Sequence, residues 1–369
     1  MDVLHLTTAH GPTDTRIFDK EASSSVERGF DVGILAHGTP TESRGGVEFF
    51  DLGLAQTRIE RWRSIPKAAR TAKRLNASVY HFHDPELIPV GLYLAETTEG
   101  AVVYDVHENF GQKIAGREWI PTPIARPAER LYPRVELSAA SRFDAVVAAT
   151  TEIEARFTDA VEHTATVHNF PRIEAISTQP EPIHRRADHV LCYVGGLSEL
   201  RGIHRALELL ATLRSRGTNA ELWALGNWRT DADRERAETY IEDRSLEPWV
   251  QFPGYLDYAK MFDYLYSADV GLSLLDTEEF QRAIPTKQFE YLYAGLPIVT
   301  TPLDAAIRFL PDRFRCVVPQ GDTAATADAV ERAFESSYDT AEMQALVRDS
   351  YSWESEAETL TEVYTRLLW

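Results

Sequence analysis

Lys287 and Glu290 stand three residues apart in PTKQFEYLYAGLPIVTTPL (285–303). On a helix opening near Thr286 that spacing puts a cation and a carboxylate on one face, while Phe289, Leu292 and Tyr293 turn toward a core. Gly295 ends the helix and Pro297 opens the next strand, so the pair lies beside a helix N-terminus, a place that favours anions. A surface ion pair is the simpler alternative. Gly195 and Gly196 follow the apolar run VLCYV and would let backbone approach a phosphate closely, although two glycines also make an ordinary turn. His107 ends the apolar run AVVYDVH (101–107), where α/β folds put functional side chains; a hydrogen-bonded structural histidine fits the same place.

These residues need elements to position them, and the chain supplies a repeating pattern. Apolar runs at 3–8, 31–37, 79–83, 101–107 and 144–150 alternate with helical stretches at 14–28, 64–75, 85–96 and 125–142. That alternation predicts a parallel sheet with crossover helices. The pattern starts again at 190–196 and continues through 220–226, 250–254, 270–275, 297–301 and 316–320. Between the two series, 176–188 (ISTQPEPIHRRAD) is polar, holds two prolines and has no apolar period, which predicts a linker. The expected organisation is a first domain over 1–172, a linker over 173–188, a second domain over 189–352 and a C-terminal helix over 353–369 that packs back toward the first domain. In that helix Leu360, Val363, Tyr364 and Leu367 form the apolar stripe.

Length and composition agree with two domains. At 369 residues the chain exceeds the usual reach of one hydrophobic core. A net charge of -19 argues against a nucleic-acid binder, which would need a basic face for phosphates. Only six of the 38 basic residues are lysines, and the acids are spread along the whole chain, a composition of the kind found in salt-loving microbes. Repulsion among such carboxylates is screened in concentrated salt. Cys192 and Cys316 sit in apolar runs and read as buried small side chains rather than ligands or a disulfide. No apolar run of membrane-spanning length and no signal-peptide pattern is present, so a cytoplasmic protein is expected. Asp231 and Asp233 form an acid-x-acid triplet of the kind that can hold a metal, but they sit in the hydrophilic run RTDADRERAE, an exposed helix start without a histidine nearby in sequence. No metal ligands and no cofactor are therefore expected.

Seven ordered segments, 11–32, 81–94, 102–110, 167–172, 193–202, 252–258 and 285–303, resemble the retaining glycosyltransferases of family four, which have the GT-B fold. The resemblance implies two doubly wound, Rossmann-like domains facing a central cleft, and transfer of a sugar from a UDP- or GDP-sugar to an acceptor such as a lipid-linked glycan or cell-surface polysaccharide precursor. It implies that Glu290 holds the donor ribose, that Arg201 and Lys287 neutralise the leaving diphosphate beside Gly195 and Gly196, and that Gly226 and Gly254 lie where loops enclose the base. Preorganised cations of this kind lower the barrier as charge builds on the leaving group. His107 matches a family histidine facing the donor sugar. Asp84 and Glu108 could orient an acceptor hydroxyl or His107, and Asp14 and Arg16 belong to the matched pattern, though helix capping accounts for Asp14 more simply. Two positions depart from the family: Arg282 stands where many members have a first glutamate, leaving Glu278 or Glu279 as substitutes, and Gly196 replaces an arginine. Two other functions share this architecture, a nucleotide-sugar epimerase and a nucleotide-sugar-binding protein without turnover.

One segment stands apart in charge. TRIERWRSIPKAARTAKRL (57–75) holds seven cations, among them Arg58, Arg61, Arg63 and Lys67, against the single acid Glu60. With Trp62 and Ile65 among the charges it fits an interfacial helix on an anionic membrane. A solvated basic helix pairing with the acidic remainder fits equally. Trp119 and Ile120 in the nearby proline-broken stretch would add to such a surface.

Overall fold

Apolar runs of four to six residues bounded by turns are too short for buried helices and carry no polar alternation, which is the pattern of strands covered on both faces. They form two sheets. In the computed structural model, which describes residues 1–40, 42–107, 122–176 and 180–369, the chain divides into two compact units, Met1–Asn169 with Trp353–Trp369, and Phe170–Ser352.

The first unit is built on seven parallel strands: β1 Val3–Leu6, β2 Val32–Ala36, β3 Glu48–Asp51, β4 Val79–Phe82, β5 Ala101–Val106, β6 Ala145–Ala148 and β7 His163–Thr166, in the order β3-β2-β1-β4-β5-β6-β7. The order reverses between β1 and β4, which makes that edge the switch point of a doubly wound sheet. One face is covered by the helices Arg58–Leu75, Ile88–Thr97 and Thr122–Ala140, through Ala68, Ala72, Leu94 and Ala140. The other is covered by a helix that is π-wound over Thr15–Ala22 and α-helical over Ser23–Glu27, and by Trp353–Leu368, through Ile17, Phe18, Trp353, Leu360 and Tyr364. The edge strands β3 (EFFD) and β7 (HTAT) were not expected; lying half covered, they have no apolar run to betray them. The basic helix begins at Arg58, six residues before the expected start, because Thr57 and Glu60 form a capping box, and it carries Pro66 within it.

The second unit has six parallel strands, where six runs were expected: β8 His189–Val194, β9 Ala220–Leu225, β10 Val250–Gly254, β11 Val270–Ser273, β12 Ile298–Thr300 and β13 Arg315–Val317, in the order β10-β9-β8-β11-β12-β13. Its switch point lies between β8 and β11. Cys192 is buried on β8, Cys316 is half-buried on β13, and neither is bonded to the other. The polar stretch before β8 is pinned along this unit: Glu181 N–H donates to Asp263 at 2.7 Å, Ile183 N–H to Ser267 Oγ at 2.9 Å, and Arg186 N–H to Glu221 at 2.6 Å.

Candidate active site

In the second unit three adjacent strands end in glycines. The chain leaves β8 through Gly195 with φ of 130°, and Gly226 ends β9 with φ of 142°. A Cβ on Gly226 would overlap the Gly195 carbonyl oxygen, so only glycine lets these two strand ends pack. Gly226 N–H in turn donates to the Gly254 carbonyl at 2.8 Å. Beside them runs a groove lined by Trp228, Phe252, Arg234 and Glu238 as well as Gly226 and Gly254.

The helix Lys287–Tyr293 is locked onto the sheet by its buried polar side. Tyr291 Oη accepts from Val194 N–H at 2.8 Å and donates to the Leu272 carbonyl at 3.1 Å. Gln288 reaches Ser273 Oγ and Thr300 Oγ1 at 3.2 and 3.3 Å. These anchors hold Lys287 and Glu290, both buried, at the switch point. Lys287 Nζ lies 4.4 Å from the centre of the Tyr193 ring, while Tyr193 Oη donates to the carbonyls of Gly196 and Arg201 at 2.9 and 3.1 Å. One tyrosine thus ties the glycine turn to the cation. Arg201 sits over the Phe280 ring, 5.4 Å from its centre, and its Nη1 approaches Gly195. Burial, then the charge of Arg201, push Lys287 down to about 7, against the opposing pull of Glu290.

The structure therefore brings Gly195, Gly196, Arg201, Lys287 and Glu290 together, with Gly226 and Gly254 alongside. It adds Arg229, whose side chain crosses Gly196 so closely that a Cβ there would press on it. The only sequence signal for Arg229 is its position shortly after the glycine ending β9. Glu278, Glu279 and Arg282 are exposed; the first two open the short helix Thr277–Phe280, capped by Asp276 at 3.0 Å from both amides. Asp231 and Asp233 begin another helix, and Asp233 is engaged by Thr230 and by Glu199 N–H at 2.9 Å. His204 Nε2, remote in sequence, approaches it to 3.6 Å.

In the first unit, strand register assembles a buried polar cluster at the other switch point. His5 on β1 pairs with His81 on β4, and alternation places His83 and, one strand over, Asp105 on the same face. Asp105 accepts from Arg16 with both oxygens, at 3.2 and 3.3 Å, and lies 2.8 Å from His107 Nε2 and 3.1 Å from His83 Nδ1. Arg16 also meets Glu21 Oε1 at 2.8 Å and the Val167 carbonyl at 3.0 Å. Burial drives His5, His81 and His83 toward neutral imidazole. It also raises Glu21, with the charge of Asp105 acting the same way, while Arg16 and then His107 hold Asp105 ionised in spite of burial. His107 is the exposed tip of this cluster, with 18% of its side chain accessible.

The other first-domain residues singled out above hold the loop after β1. Asp84 Oδ2 accepts from Thr7 Oγ1 at 2.8 Å and from the amides of Thr8 and Ala9 at 2.6 and 3.0 Å. Asp14 caps the 15–22 helix through Arg16 and Ile17 N–H and approaches His10 at 3.3 Å. Against the effect of burial, the His10 contact and these amides hold its carboxyl well below the usual range. Glu108, Trp119 and Ile120 lie outside the described residues. On the basic helix, Trp62 donates to Glu86 at 2.9 Å and Arg61 lies 3.6 Å from the same carboxylate. Arg63 and Lys67 are exposed, Arg58 is half-buried, and Leu54, Ile59 and Trp62 stand 85%, 60% and 43% exposed beside them. Among the described residues no helix is long and apolar enough to cross a membrane.

Residues 18–171 match the family described as "Glycosyl transferase 4-like domain", and residues 188–336 match "Glycosyl transferases group 1". No curated protein sequence matches the chain. Among solved structures it is similar to sucrose-phosphate synthase from Thermosynechococcus elongatus, with a TM-score of 0.75 at 16% identity over 99% of this chain and 98% of that one. It is similar also to Anabaena HepE in complex with UDP and glucose, with a TM-score of 0.73 at 14% identity over 99% and 100% of the two chains. WaaG, a glycosyltransferase involved in lipopolysaccharide biosynthesis, superposes with a TM-score of 0.66 at 16% identity over 99% and 98%. With a family match in each unit, and a parallel Rossmann-like sheet in each, the chain belongs to the GT-B glycosyltransferases.

Proposed function

We propose that this protein transfers a hexose, with retention of anomeric configuration, from a UDP- or GDP-sugar to a glycan or lipid-linked acceptor. The observation that carries the reading is the gathering of Arg201, Lys287 and Glu290 around the Gly195–Gly196 turn at the β8–β11 switch point. A glycine turn flanked by cations suits a diphosphate, and Arg229 adds a further cation beside it. Glu290, on the same helix as Lys287, would accept from ribose hydroxyls. The groove by Gly226 and Gly254, with Trp228 and Phe252, offers flat apolar surface for the base.

In the reaction the bond between the anomeric carbon and the diphosphate oxygen breaks, the nucleoside diphosphate departs with the electron pair, and an acceptor hydroxyl oxygen bonds to that carbon as its proton passes to the departing diphosphate. Arg201 and Lys287 stabilise the charge that develops on the departing diphosphate. His107, oriented by Asp105, is the first-unit group assigned to the donor sugar. The neighbour that holds UDP and glucose supports a UDP-sugar donor. No role in transfer is given to the Asp231–Asp233 pair, Asp233 being engaged by Thr230 N-capping and by Glu199 N–H at 2.9 Å.

Titration calorimetry with UDP, GDP and their sugars tests the donor site, and product analysis with extracted lipid tests transfer. Glu290→Gln should weaken nucleotide binding roughly tenfold to a hundredfold, the scale of one or two hydrogen bonds to a charged group. Unchanged affinity in that variant refutes the assignment. Conversion of the nucleotide sugar without acceptor would favour an epimerase, and binding without transfer a non-catalytic protein.

Ile59 and Trp62 exposed on the basic helix, with Leu54 exposed just before it, support a peripheral site on an anionic, cytoplasmic membrane face, where a lipid-linked acceptor would reside. Flotation with anionic liposomes should be lost when Arg58, Arg61 and Arg63 are reversed in charge. Equal flotation rejects the membrane assignment and leaves the donor site untouched.

A further inference from the structure

The buried cluster of the first unit holds more acid than base. Asp105 and Glu21 are both fully buried, and among the described residues Arg16 is the one buried Arg or Lys that pairs with them. Asp105 is saturated by Arg16, His83 and His107. Glu21 is not: Arg16 lies against Oε1, while Oε2 has no hydrogen-bond donor and is turned toward three imidazoles. Its distances to His5 Nδ1, His81 Nδ1 and His83 Nε2 are 3.9, 3.9 and 3.9 Å, and His5 Nδ1 lies 3.0 Å from His83 Nε2. The four residues offer ligand atoms that all fall within 4.8 Å of one another.

We propose that His5, His81, His83 and Glu21 form a buried site for a divalent first-row cation of the Zn2+ class, which clamps β1, β4 and the 15–27 helix together. A tetrahedral ion with bonds of about 2.0–2.1 Å needs ligand atoms roughly 3.3 Å apart, and the separations of 3.0 and 3.9 Å bracket that value. Three nitrogens and one carboxylate oxygen are a donor set that suits Zn2+ or its neighbours rather than Mg2+ or Ca2+. The surroundings are those of a ligating histidine: His83 presents Nε2 to the site while Nδ1 meets Asp105 at 3.1 Å, a carboxylate–histidine pair that fixes ring and tautomer. Two further buried atoms, His5 Nε2 and His81 Nε2, also have no hydrogen-bond partner, so neither imidazole is committed elsewhere through that nitrogen. Tyr364 Oη, 2.6 Å from His81 Nδ1, is the group the ion would turn aside. A second candidate set, Glu21, His83, Asp105 and His107, is the weaker one, because both Asp105 oxygens are already bonded to Arg16.

The competing way to balance the charge is a proton on Glu21. The full-length chain, freed of any affinity tag, distinguishes the two. Elemental analysis as isolated and after addition of Zn2+ should find about one ion per chain, and Zn-edge X-ray absorption should report three imidazole nitrogens and one oxygen at about 2.0–2.1 Å. Co2+ in place of Zn2+ should give the intense visible bands of a tetrahedral site. The double variant His5→Gln with His81→Gln should lose the ion while far-UV dichroism stays native. Folded protein that takes up neither Zn2+ nor Co2+ overturns the proposal, as does an ion retained in the folded variant. Should the variant fail to fold, the X-ray absorption of the unmodified chain decides, and a spectrum of oxygen ligands alone overturns it.

Discussion

Lys287 gives the donor site a pH dependence with a sign that can be worked out in advance. Its ammonium is buried beside Arg201 and is held at about 7, far below an ordinary lysine. At pH 8 the free protein therefore carries only about one tenth of a proton charge at this position. A bound diphosphate brings negative charge to the ammonium and raises its pKa, so binding takes up a proton, and the bound state is the more protonated one. Affinity must then be highest at and below pH 7 and fall about tenfold, or 1.4 kcal/mol, for each pH unit above it. Between pH 7.5 and 9 the loss is roughly twentyfold. Burial pushes the Cys192 thiol and the Tyr193 phenol, which flank Lys287, up and out of this window. The terminal phosphate of a nucleoside diphosphate, with its second ionisation near pH 6, is already fully charged there. Calorimetry with UDP or GDP at pH 8.5, run in two buffers of different ionisation enthalpy, should report uptake of close to one proton. Lys287→Met should bind more weakly at pH 7 and show neither slope nor uptake. The same variant should flatten the stability of the free protein above pH 7, where the unfolded chain binds a proton that the folded one does not. Zero proton uptake in the natural protein, or the same slope in Lys287→Met, would refute the reasoning.

Three other perturbations follow from the same geometry. Arg16→Met strips Asp105 and Glu21 of their buried cation and should destabilise the first unit by about 3–5 kcal/mol in urea unfolding, the cost of leaving buried charge unpaired; a loss below about 1 kcal/mol would show that the cluster balances its charge without it. Gly226→Ala meets both a left-handed backbone and the Gly195 carbonyl, so a strain of about 1–3 kcal/mol should appear as a loss of nucleotide affinity of roughly fivefold or more; wild-type affinity would mean that the strand ends are free to part. With a net charge of -19, the melting temperature should rise between dilute and molar salt, and a constant value would remove the case for an acidic surface suited to salt.

The central strands were legible because parallel strands covered on both faces must be apolar throughout, and VLHL, VGILA, VYHF and HVLCYV could be little else. At the edges that pressure lapses, so EFFD and HTAT carry no such mark. The pairing of Lys287 with Glu290, on which the proposed donor site rests, was legible because spacing along one helix suffices for it. Arg229 was not, because nothing local distinguishes an arginine that crosses a neighbouring strand's glycine from one in solvent. The alternation His81-Phe82-His83 stood in plain view, yet its meaning depends on register: only the pairing of His5 with His81, and Asp105 one strand further on, turns scattered polar residues into one buried cluster. Asp84 and Arg16 show the same limit from the other side. A polar residue near a strand end can face a ligand or its own unit: Asp84 binds the amides of Thr8 and Ala9, and Arg16, on the following helix, binds Asp105, Glu21 and the Val167 carbonyl.

Both clusters nevertheless stand at the place that topology alone designates. Where strand order reverses, the segments leaving β1 and β4, or β8 and β11, turn away to opposite faces and leave the strand ends uncovered. In the second unit that opening is floored with glycines and ringed by cations, which makes it receptive to a diphosphate. In the first it is plugged from below by histidines and carboxylates, so that among the described residues of the cluster His107 is the one that reaches the surface, with Asp105 beneath it holding the ring in place. The same sheet order thus yields an anion site in one unit and a rigidly supported imidazole in the other, and the difference rests on the few side chains that follow each pair of strands.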